Sequence, residues 1–534
     1  MFRRNSSDRA GFMRLAGIFL VFALAILFIF LMQIPSEAAE NALVNVKLSG
    51  VSQLDLGIPS FKISPNSQYV AFVADREIDN TFELYVVPST GGAPVKLNAP
   101  IKVGSSINIY QFTPDSSQVL FVARHETTGA SELFIAPVTG GPPTKLNRSL
   151  VTGGNVGDFR LSPDGSQVVY VADMEADDVL ELYAVPTAGG TTVNLTGDVL
   201  PWFDADDEAF QISIDGQRVV YIADHDVDDR KELYSVPITG GARVTLNDSM
   251  IPNGDVGQFK LGPNGTAVAY LADQETDDVL ELYLANITTG YQYKLNTLLP
   301  LGGDVYDFNF TENTGRVIYR ADQLVDDLIE LYSAPVGLGL HIKLNPALPP
   351  GGDVFGGWKI IPGIGYVVYW SDLTTDGVLE LYSAPVNALG ANKLNGPLVA
   401  NGDVQSNFGV TNNGAYVVYR ADGDTNDIDE LYASQLPTGP SAKISAPLVA
   451  NGEVANFRIS PDSAYAVYLA DQETDGVNEL YYVPLAGGPA RKMNEPLVAE
   501  GQVTNYYDVS PDGARVVYVA DQEVDGKFEL FGYI

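Results

Sequence analysis

Residues 159–195 carry the pattern that decides the fold: Phe159-Arg160-Leu161-Ser162-Pro163-Asp164-Gly165, then Val168-Val169-Tyr170-Val171-Ala172-Asp173, then Glu181-Leu182-Tyr183, Pro186, Gly189-Gly190 and Asn194-Leu195. The same pattern recurs along the chain in steps of 49 to 51 residues. The residue before each Pro-Asp-Gly-like turn marks the ten copies: Ser64, Thr113, Ser162, Ser213, Gly262, Thr311, Ile361, Thr411, Ser460 and Ser510. Because a repeat of this length is itself a unit of architecture, it outweighs chain length as a guide to domains.

Each copy predicts four β-strands. The first strand ends at Leu161, before Ser162 to Gly165, where proline presets φ and glycine takes the fourth position of a type I turn. Gln167 to Ala172 is apolar on both faces and rich in β-branched residues, which predicts a buried central strand. Glu181 to Val185 and Thr191 to Leu195 supply the third and fourth strands. Four-stranded units of this length, repeated radially, form a β-propeller.

The two ends of the chain predict how the ring closes. The last copy stops at Glu529-Leu530-Phe531-Gly532-Tyr533-Ile534, without its Gly-Gly turn and fourth strand. Leu43 to Leu48 matches that missing strand, so we expect it to complete the final blade and remove two exposed sheet edges. The expected fold is therefore an all-β propeller of about ten four-stranded blades. Two smaller propellers are the alternative, since ten blades exceed the usual four to eight, and a solenoid is a further one.

Several of these motifs together suggest a known repeat. Ser-Pro-Asp-Gly, the following Val-x-Tyr-x-Ala-Asp, Glu-Leu-Tyr and Gly-Gly resemble the TolB-type propeller repeat, a relative of the WD-repeat family. The resemblance covers nearly all of residues 42–534, although the Gly-His and Trp-Asp pairs of true WD repeats are missing. That family includes binding platforms, protease-associated propellers and some lyases. The resemblance therefore implies the propeller fold and leaves the function open.

The first 39 residues differ from the rest. Arg3, Arg4, Arg9 and Arg14 precede an apolar run at residues 15–32, and small residues follow it. This arrangement is typical of a secretory signal peptide, but eighteen apolar residues can also span a bilayer as an anchor. We therefore expect residues 1–39 to be a signal peptide or an N-terminal membrane anchor, and residues 40–534 to be the propeller. Either way the propeller would be exported: extracellular, periplasmic or held at the outer side of the cytoplasmic membrane.

Composition excludes several kinds of function. The chain has no cysteine, so disulfides, thiolate metal sites and a cysteine nucleophile are excluded, and only three histidines are present. The net charge of −36 argues against nucleic acid and anionic membrane surfaces as partners. We expect a monomer that binds a protein or another extracellular or envelope ligand, with a possible membrane tether through residues 15–32.

The negative charge lies in one loop of each copy, between the second and third strands. Counted from its first position to the glutamate of Glu-Leu-Tyr, the ten loops contain 41 acidic and five basic residues. Their net charge equals that of the whole chain. In a propeller these loops and the connections between blades share one face. One face is therefore predicted to be a ring of carboxylates.

Oxygen ligands at positions 1, 3, 5 and 9 of a short loop suit a hard cation such as Ca²⁺. The alternative is that the first aspartate and the glutamate cap amides or bond to a neighbouring blade while the other residues are solvated. Blades two and seven depart from the pattern, so fewer than ten ions are expected. The candidate metal ligands are Asp173, Glu175, Asp177, Glu181, Asp224, Asp226, Asp228, Glu232, Asp273, Glu275, Asp277, Glu281, Asp422, Asp424, Asn426, Asp471, Glu473, Asp475, Glu479, Asp521, Glu523, Asp525 and Glu529.

The sequence therefore favours an exported binding or scaffold propeller whose acidic face binds calcium or a basic partner. The alternative is a lyase or hydrolase that acts on polysaccharide or peptide in the central channel. That alternative needs departures from the repeat at the inner strand, as at Trp202-Phe203-Asp204 and Gly356-Gly357-Trp358. No catalytic residue is assigned, because no Gly-x-Ser-x-Gly elbow or defensible Ser/His/Asp set is present. Lysines of the fourth strand are expected opposite the tyrosine of Glu-Leu-Tyr.

Overall fold

The repeat folds as the turn chemistry predicts. A computed structural model of the protein describes residues 44–50, 57–197, 210–225, 230–313, 315–337 and 339–533. The expected signal peptide or anchor at residues 1–39 lies outside these residues. The chain divides into Met1–Val44, of which only Val44 is described, and Asn45–Ile534, which holds every described strand. Within the described residues, no helix has the length and apolar character needed to cross a membrane.

The turn after the first strand is set by its glycine. In the third copy, Gly165 N donates to Ser162 O at 2.8 Å, and Gly165 has a φ of 72°. A Cβ on Gly165 would lie 2.8 Å from the Pro114 ring of the preceding copy, so glycine is required for packing as well as for φ. The second strand that follows, Gln167–Ala172, is buried from its second residue onward, as predicted for a central strand.

Ten four-stranded antiparallel sheets result, one from each copy, and they are called blades 1 to 10. The first strand of each blade is the innermost and the fourth is the outermost. Blade 1 contains Ser60–Ile63, Tyr69–Asp75, Phe82–Pro88 and Val95–Lys96; blade 2 contains Tyr110–Phe112, Gln118–Arg124, Ser131–Pro137 and Thr144–Lys145; blade 3 contains Val156–Leu161, Gln167–Ala172, Glu181–Pro186 and Val193–Asn194. Blade 4 contains Phe210–Ile212, Arg218–Ala223, Glu232–Pro237 and Val244–Thr245; blade 5 contains Val256–Leu261, Ala267–Ala272, Glu281–Asn286 and Gln292–Lys294.

The second half of the ring has the same organisation. Blade 6 contains Val305–Phe310, Arg316–Ala321, Glu330–Pro335 and Ile342–Lys343; blade 7 contains Lys359–Ile361, Tyr366–Ser371, Glu380–Pro385 and Asn392–Lys393; blade 8 contains Val404–Val410, Tyr416–Ala421, Glu430–Gln435 and Ser441–Lys443. Blade 9 contains Val454–Ile459, Tyr465–Ala470, Glu479–Pro484 and Arg491–Lys492. Blade 10 contains Val503–Val509, Val516–Ala520 and Glu529–Tyr533 from the C-terminal region, together with Asn45–Lys47.

The N-terminal strand completes the last blade, as predicted. Asn45, Val46 and Lys47 pair with Tyr533, Gly532 and Phe531 in antiparallel register. Leu48 N continues the ladder by donating to Leu530 O at 2.7 Å. Both edges that an open chain of blades would expose are thereby paired.

Apolar packing shows that the blades form one ring. Among the described residues, ten buried clusters occur, and each one joins a blade to the next. The cluster at the closure packs Val517, Val519 and Leu530 of blade 10 with Val70 and Phe72 of blade 1. A ten-bladed ring is thus confirmed over two smaller rings. The closure also excludes a solenoid, whose ends do not meet.

Candidate functional site

The loops between the second and third strands and the connections between blades lie on one side of the ring, called here the acidic face. The Pro-Asp-Gly-like turns and the Gly-Gly turns form the opposite side, called the turn face. Positions in each loop are numbered from the residue after Val-x-Tyr-x-Ala, so that Asp173 is position 1 and Glu181 is position 9 in blade 3.

Except for the half-buried Asp224, the described aspartates at position 1 are buried, and each accepts at least one hydrogen bond from a backbone amide. In blade 6, Asp322 Oδ1 accepts from Asp304 N at 2.5 Å and Oδ2 accepts from Asp327 N at 3.1 Å. The first bond ties the loop to the connection that enters the same blade, and the second lies within the loop itself. The Oδ2 bond recurs with the residue five positions later in the other described loops of this type, for Asp75, Asp173, Asp273, Asp372, Asp422, Asp471 and Asp521.

The connections between blades contribute a second row of carboxylates. Asp304 Oδ1 accepts from Leu280 N of the preceding blade at 2.7 Å, while Asp304 N donates to Asp322 of its own blade. Equivalent bonds run from Ser131, Lys231, Ile329 and Leu379 to Asn155, Asp255, Asp353 and Asp403. Each such residue thus links two blades. Burial and the nearby carboxylates of Asp322, Asp326 and Asp278 raise the pKa of Asp304, although the hydrogen bond from Leu280 N opposes this.

The glutamate at position 9 is buried beside a lysine of the fourth strand and a tyrosine of the third. In blade 5, Glu281 Oε1 lies 2.7 Å from Lys294 Nζ, and Tyr283 OH donates to Glu281 Oε2 at 2.9 Å. Lys294 also contacts Glu275, at position 3, at 2.8 Å. Although burial alone would lower it, hydrogen bonds to both glutamates raise the pKa of Lys294. Tyr283 and Lys294 are cross-strand partners, as predicted.

This lysine arrangement recurs around the ring. The position-9 glutamate pairs with a fourth-strand lysine in blades 1, 2, 5, 6, 7, 8, 9 and 10: Glu83 with Lys96, Glu132 with Lys145, Glu281 with Lys294, Glu330 with Lys343, Glu380 with Lys393, Glu430 with Lys443, Glu479 with Lys492 and Glu529 with Lys47. In blade 3, Asn194 takes the place of the lysine and donates to Glu181 at 2.7 Å, and Arg148 pairs with Glu175. In blade 4, Tyr234 donates to Glu232 at 2.6 Å.

Positions 5 and 6 carry the exposed charge. In blades 3, 5 and 6 both positions are aspartates, and all six side chains are exposed. Within the described part of the chain, no lysine, arginine or histidine nitrogen lies within 4.0 Å of these carboxylates: Asp177, Asp178, Asp277, Asp278, Asp326 and Asp327. The acidic face therefore presents negative charge that internal pairs do not neutralise.

The candidate metal ligands are divided between these roles. Positions 1 and 9 bond to amides, lysines and tyrosines, and at position 3 Glu275, Asp424, Glu473 and Glu523 contact a fourth-strand lysine. Asn426 donates to Asp427, and Asp475 accepts from Asn451. Asp277 and Asp525 are exposed and Asp224 is half-buried, whereas Asp226 and Asp228 lie outside the described residues. Among the described residues, ligand atoms within 4.8 Å of one another occur for Asp173, Asp177 and Asp178.

Blade 6 adds exposed apolar side chains to the acidic face, a feature that the charge pattern alone did not reveal. Leu324 and Val325, at positions 3 and 4, are 61% and 55% exposed. Leu298 and Leu301, in the connection that enters blade 6, are 89% and 98% exposed. These four residues are called the blade 6 apolar patch. They could have been found from the sequence, because Leu324 stands where most loops have an acid.

The departures from the repeat at Gly356-Gly357-Trp358 form a packed contact between blades 6 and 7. Trp358 Nε1 donates to Asp307 Oδ1 at 2.7 Å. Arg320 donates from Nε and Nη2 to Asp307 Oδ2 at 2.9 and 2.6 Å. Arg320 Nη1 donates to Val354 O at 3.0 Å. Both oxygens of Asp307 are thus occupied by protein donors. Trp202-Phe203-Asp204 lies outside the described residues.

Residues 39–246, which include blades 1 to 4, match the model of a protein family described as the lipoprotein LpqB beta-propeller domain. The resemblance to a β-propeller repeat family is thereby confirmed. No curated protein matches the chain.

Three solved structures match the chain at low sequence identity. Dipeptidyl peptidase 4 from Porphyromonas gingivalis is 13% identical with a TM-score of 0.47, over 86% of this chain and 64% of that chain. A protein from Agrobacterium tumefaciens assigned as TolB is 18% identical with a TM-score of 0.28, over 45% of this chain and 80% of that chain. An oligogalacturonate lyase in complex with manganese is 10% identical with a TM-score of 0.34, over 81% of this chain and 98% of that chain.

Proposed function

We propose that this protein is an exported binding propeller whose acidic face docks a partner that combines basic and apolar side chains. The observation that carries the proposal is the blade 6 apolar patch, which lies among carboxylates without cationic partners. Asp326 adjoins the patch, because its carboxylate packs against Gly302, the residue after Leu301. Exposed apolar groups rimmed by charge are typical of protein interaction sites.

Charge complementarity determines the kind of partner. Carboxylates at positions 5 and 6 repel acidic surfaces and attract lysine and arginine, which speeds association and excludes wrong partners. The exposed leucine side chains supply apolar area that a partner can bury, which the carboxylates do not. The position 1 and 9 carboxylates already have internal partners, so they hold the loops in place while positions 5 and 6 make the contact.

A basic amphipathic peptide is the probe for this face. Leu324→Ser and the double variant Asp326→Asn/Asp327→Asn should each weaken binding about tenfold, because one removes apolar burial and the other removes charge. Two control variants lie on the turn face and should bind as the parent protein does. Ile214→Ser is matched to Leu324→Ser, since Ile214 is also 61% exposed, and Glu312→Gln removes a charge from blade 6. Fluorescence anisotropy measures the affinities. Equal affinities for all four variants and the parent protein would refute the docking surface.

Among the described residues, calcium binding is proposed for blade 3, where Asp173, Asp177 and Asp178 converge. Three carboxylates and the backbone oxygens of such a loop are the ligand type that Ca²⁺ takes. Calorimetric titration of the chelator-stripped protein should show an ion that binds at blade 3, and at about one hundred times Kd this ion should add about 2.7 kcal/mol to the free energy of unfolding. Asp177→Asn should abolish the heat, whereas Asp277→Asn, the equivalent change in blade 5, should not. Binding that survives Asp177→Asn would remove the blade 3 site.

Export is proposed from residues 1–39, and the match to a lipoprotein propeller domain supports it. Separation of membrane and soluble fractions, with N-terminal sequencing of the mature protein, distinguishes a cleaved signal from an anchor at residues 15–32. The alternative function, a lyase or hydrolase acting in the channel, predicts turnover of a polysaccharide or peptide. A substrate screen that shows no product would count against it.

A further inference from the structure

One position of the innermost strand alternates around the ring. It is the second residue before each Pro-Asp-Gly-like turn. The odd-numbered blades carry a cation there: Lys62, Arg160, Lys260, Lys359 and Arg458. The even-numbered blades carry an uncharged or acidic residue: Gln111, Gln211, Asn309, Gly409 and Asp508. At this one position of the first strand, the ten blades therefore behave as five repeats of a two-blade unit.

The register of the sheets places all ten residues at the same height. Lys62 pairs with Ala71, Lys359 with Val368 and Arg458 with Val467. Each partner is the third residue of the second strand of its blade. In the even blades, Gln211 pairs with Val220 at the corresponding position. Since the first strand is the innermost, five cations form one level of the channel wall near the turn face.

The five cations make the same contact. Each one lies over an aromatic ring of the first strand in the next blade, at 5.2 to 5.7 Å from the ring centroid. Lys62 Nζ also donates to Tyr110 O at 2.8 Å, and Lys359 Nζ donates to Phe408 O at 2.6 Å. These contacts hold the charged groups at fixed places on the wall.

Packing alone does not require the charge. Gln211 donates from Nε2 to Phe259 O of the next blade at 3.2 Å. Lys62 and Lys359 make the equivalent bond to the blade that follows theirs. An uncharged side chain can thus make the same hydrogen bond between neighbouring blades. A cation–π contact contributes only about 0.5–1 kcal/mol at an exposed site. The alternation of charge needs another explanation.

Four of the five cations have no carboxylate of the described residues as close as those that contact the fourth-strand lysines. Fourth-strand lysines each contact a buried glutamate, whereas within the described residues no carboxylate lies within 4.0 Å of Lys62, Lys260, Lys359 or Arg458. Arg160 lies 3.6 Å from Asp158. Partial burial lowers the pKa of Lys359, and it lowers the pKa of Lys62 although the more distant Asp158 carboxylate opposes this shift. A nearby anion would compensate for the lost hydration of these ammonium groups.

We propose that this level of five cations binds a multiply charged oxyanion in the central channel. Phosphate and carboxylate groups share the required chemistry, since both accept charge-assisted hydrogen bonds from ammonium and guanidinium groups. Five cations against the single carboxylate of Asp508 give this level of the channel wall a net positive charge, which attracts anions. The acidic loops lie on the opposite face, so cations and anions have separate binding regions on this molecule.

Lysine-to-glutamine variants test the proposal, because glutamine keeps the hydrogen bond that Gln211 demonstrates. Inositol hexakisphosphate and citrate are the probes, and calorimetry measures their affinity for the full chain. We expect at least one probe to bind, with weaker binding as salt is added. Lys62→Gln and Lys359→Gln should each weaken it about tenfold. Gln111→Lys, which adds a sixth charge at the same level, should strengthen it.

Lys102→Gln is the matched control, because Lys102 is an exposed lysine on the acidic face. It should bind the probes as the parent protein does, and thermal unfolding should show all variants folded. Binding of inositol hexakisphosphate alone would assign a phosphate ligand, and binding of citrate alone a carboxylate ligand. The proposal is overturned if neither probe binds, or if Lys62→Gln, Lys359→Gln and Lys102→Gln bind equally.

Discussion

Asp512 of blade 10 donates from its backbone nitrogen to Ser67 Oγ of blade 1 at 3.0 Å, although 445 residues separate them. Asn66 N makes the same bond to Ser116 Oγ between blades 1 and 2, also at 3.0 Å. The contact that closes the ring is therefore the ordinary contact between neighbouring blades. Blade 10 therefore packs on blade 1 in the same way as any two successive blades pack.

The N-terminal strand should be as important to stability as an internal fourth strand. Leu48 of blade 10 and Leu97 of blade 1 are equivalent, and both are buried. We expect Leu48→Ala and Leu97→Ala to lower the free energy of unfolding by similar amounts, about 2–5 kcal/mol, because each leaves a cavity at a blade interface. Urea unfolding measures both. A Leu48→Ala variant as stable as the parent protein would mean that the ring does not depend on closure.

Lys393→Met should destabilise the protein in a pH-dependent manner. Burial opposes ionisation of Glu380, but hydrogen bonds from Lys393, Tyr382 and Thr374 hold its pKa below the ordinary value of 4.5. The wild-type contribution is thus present above pH 4.5 and is lost as pH falls through the lowered folded pKa. The variant should lose about 1–3 kcal/mol at pH 7 and should approach wild type under acidic conditions, where Glu380 is neutral in the variant.

Unfolding in urea at pH 7, 5 and 3.5 measures this difference. Lys393→Arg keeps the charge and serves as the control, so it should show a smaller loss at pH 7. A Lys393→Met deficit that is constant with pH would assign the effect to lost packing and not to the ion pair.

Asp178→Gly should leave stability unchanged or raise it by about 0.5–1 kcal/mol. Asp178 has a φ of 62°, and Gly377, Gly476 and Gly526 occupy the same loop position in other blades. Glycine adopts this conformation without a steric penalty, and the change removes one unpaired charge. Asp178→Ala, which keeps a Cβ at positive φ, should instead lower the thermal midpoint. Equal losses for glycine and alanine would indicate that the Asp178 carboxylate itself stabilises the loop.

Ser162→Ala should weaken the turn of blade 3 and raise the pKa of its aspartate. Hydrogen bonds from Ser162, and from the backbone and side chain of Ser166, lower the pKa of Asp164 to about 2. Because that pKa is lowered, its stabilising contribution is present above pH 3.8 and disappears as pH falls through about 2. NMR titration of the Asp164 carboxyl carbon in both proteins measures the change. An unchanged pKa in Ser162→Ala would assign the shift to Ser166.

The sequence predicted that loop carboxylates bond to backbone amides, but it did not predict which residues are their partners. Asp322 bonds to amides, as the alternative reading of the loops expected, and one of its partners is Asp304, eighteen residues earlier. Glu281 bonds to Lys294, which the sequence placed opposite Tyr283 but not beside a glutamate. Such pairs depend on where side chains point across a sheet, and spacing along the chain does not report this direction.

The sequence by itself determined the number of repeats, the position of each turn and strand, the strand that completes the last blade and the localisation of negative charge. These follow from local properties: proline and glycine at turns, β-branched residues in strands and acids in one loop. Only the tertiary structure decided that ten blades form one ring, that buried carboxylates have internal partners, and that five inner-strand cations share one level. Those features depend on contacts between blades about fifty residues apart, where packing and register, and not local propensity, select the arrangement.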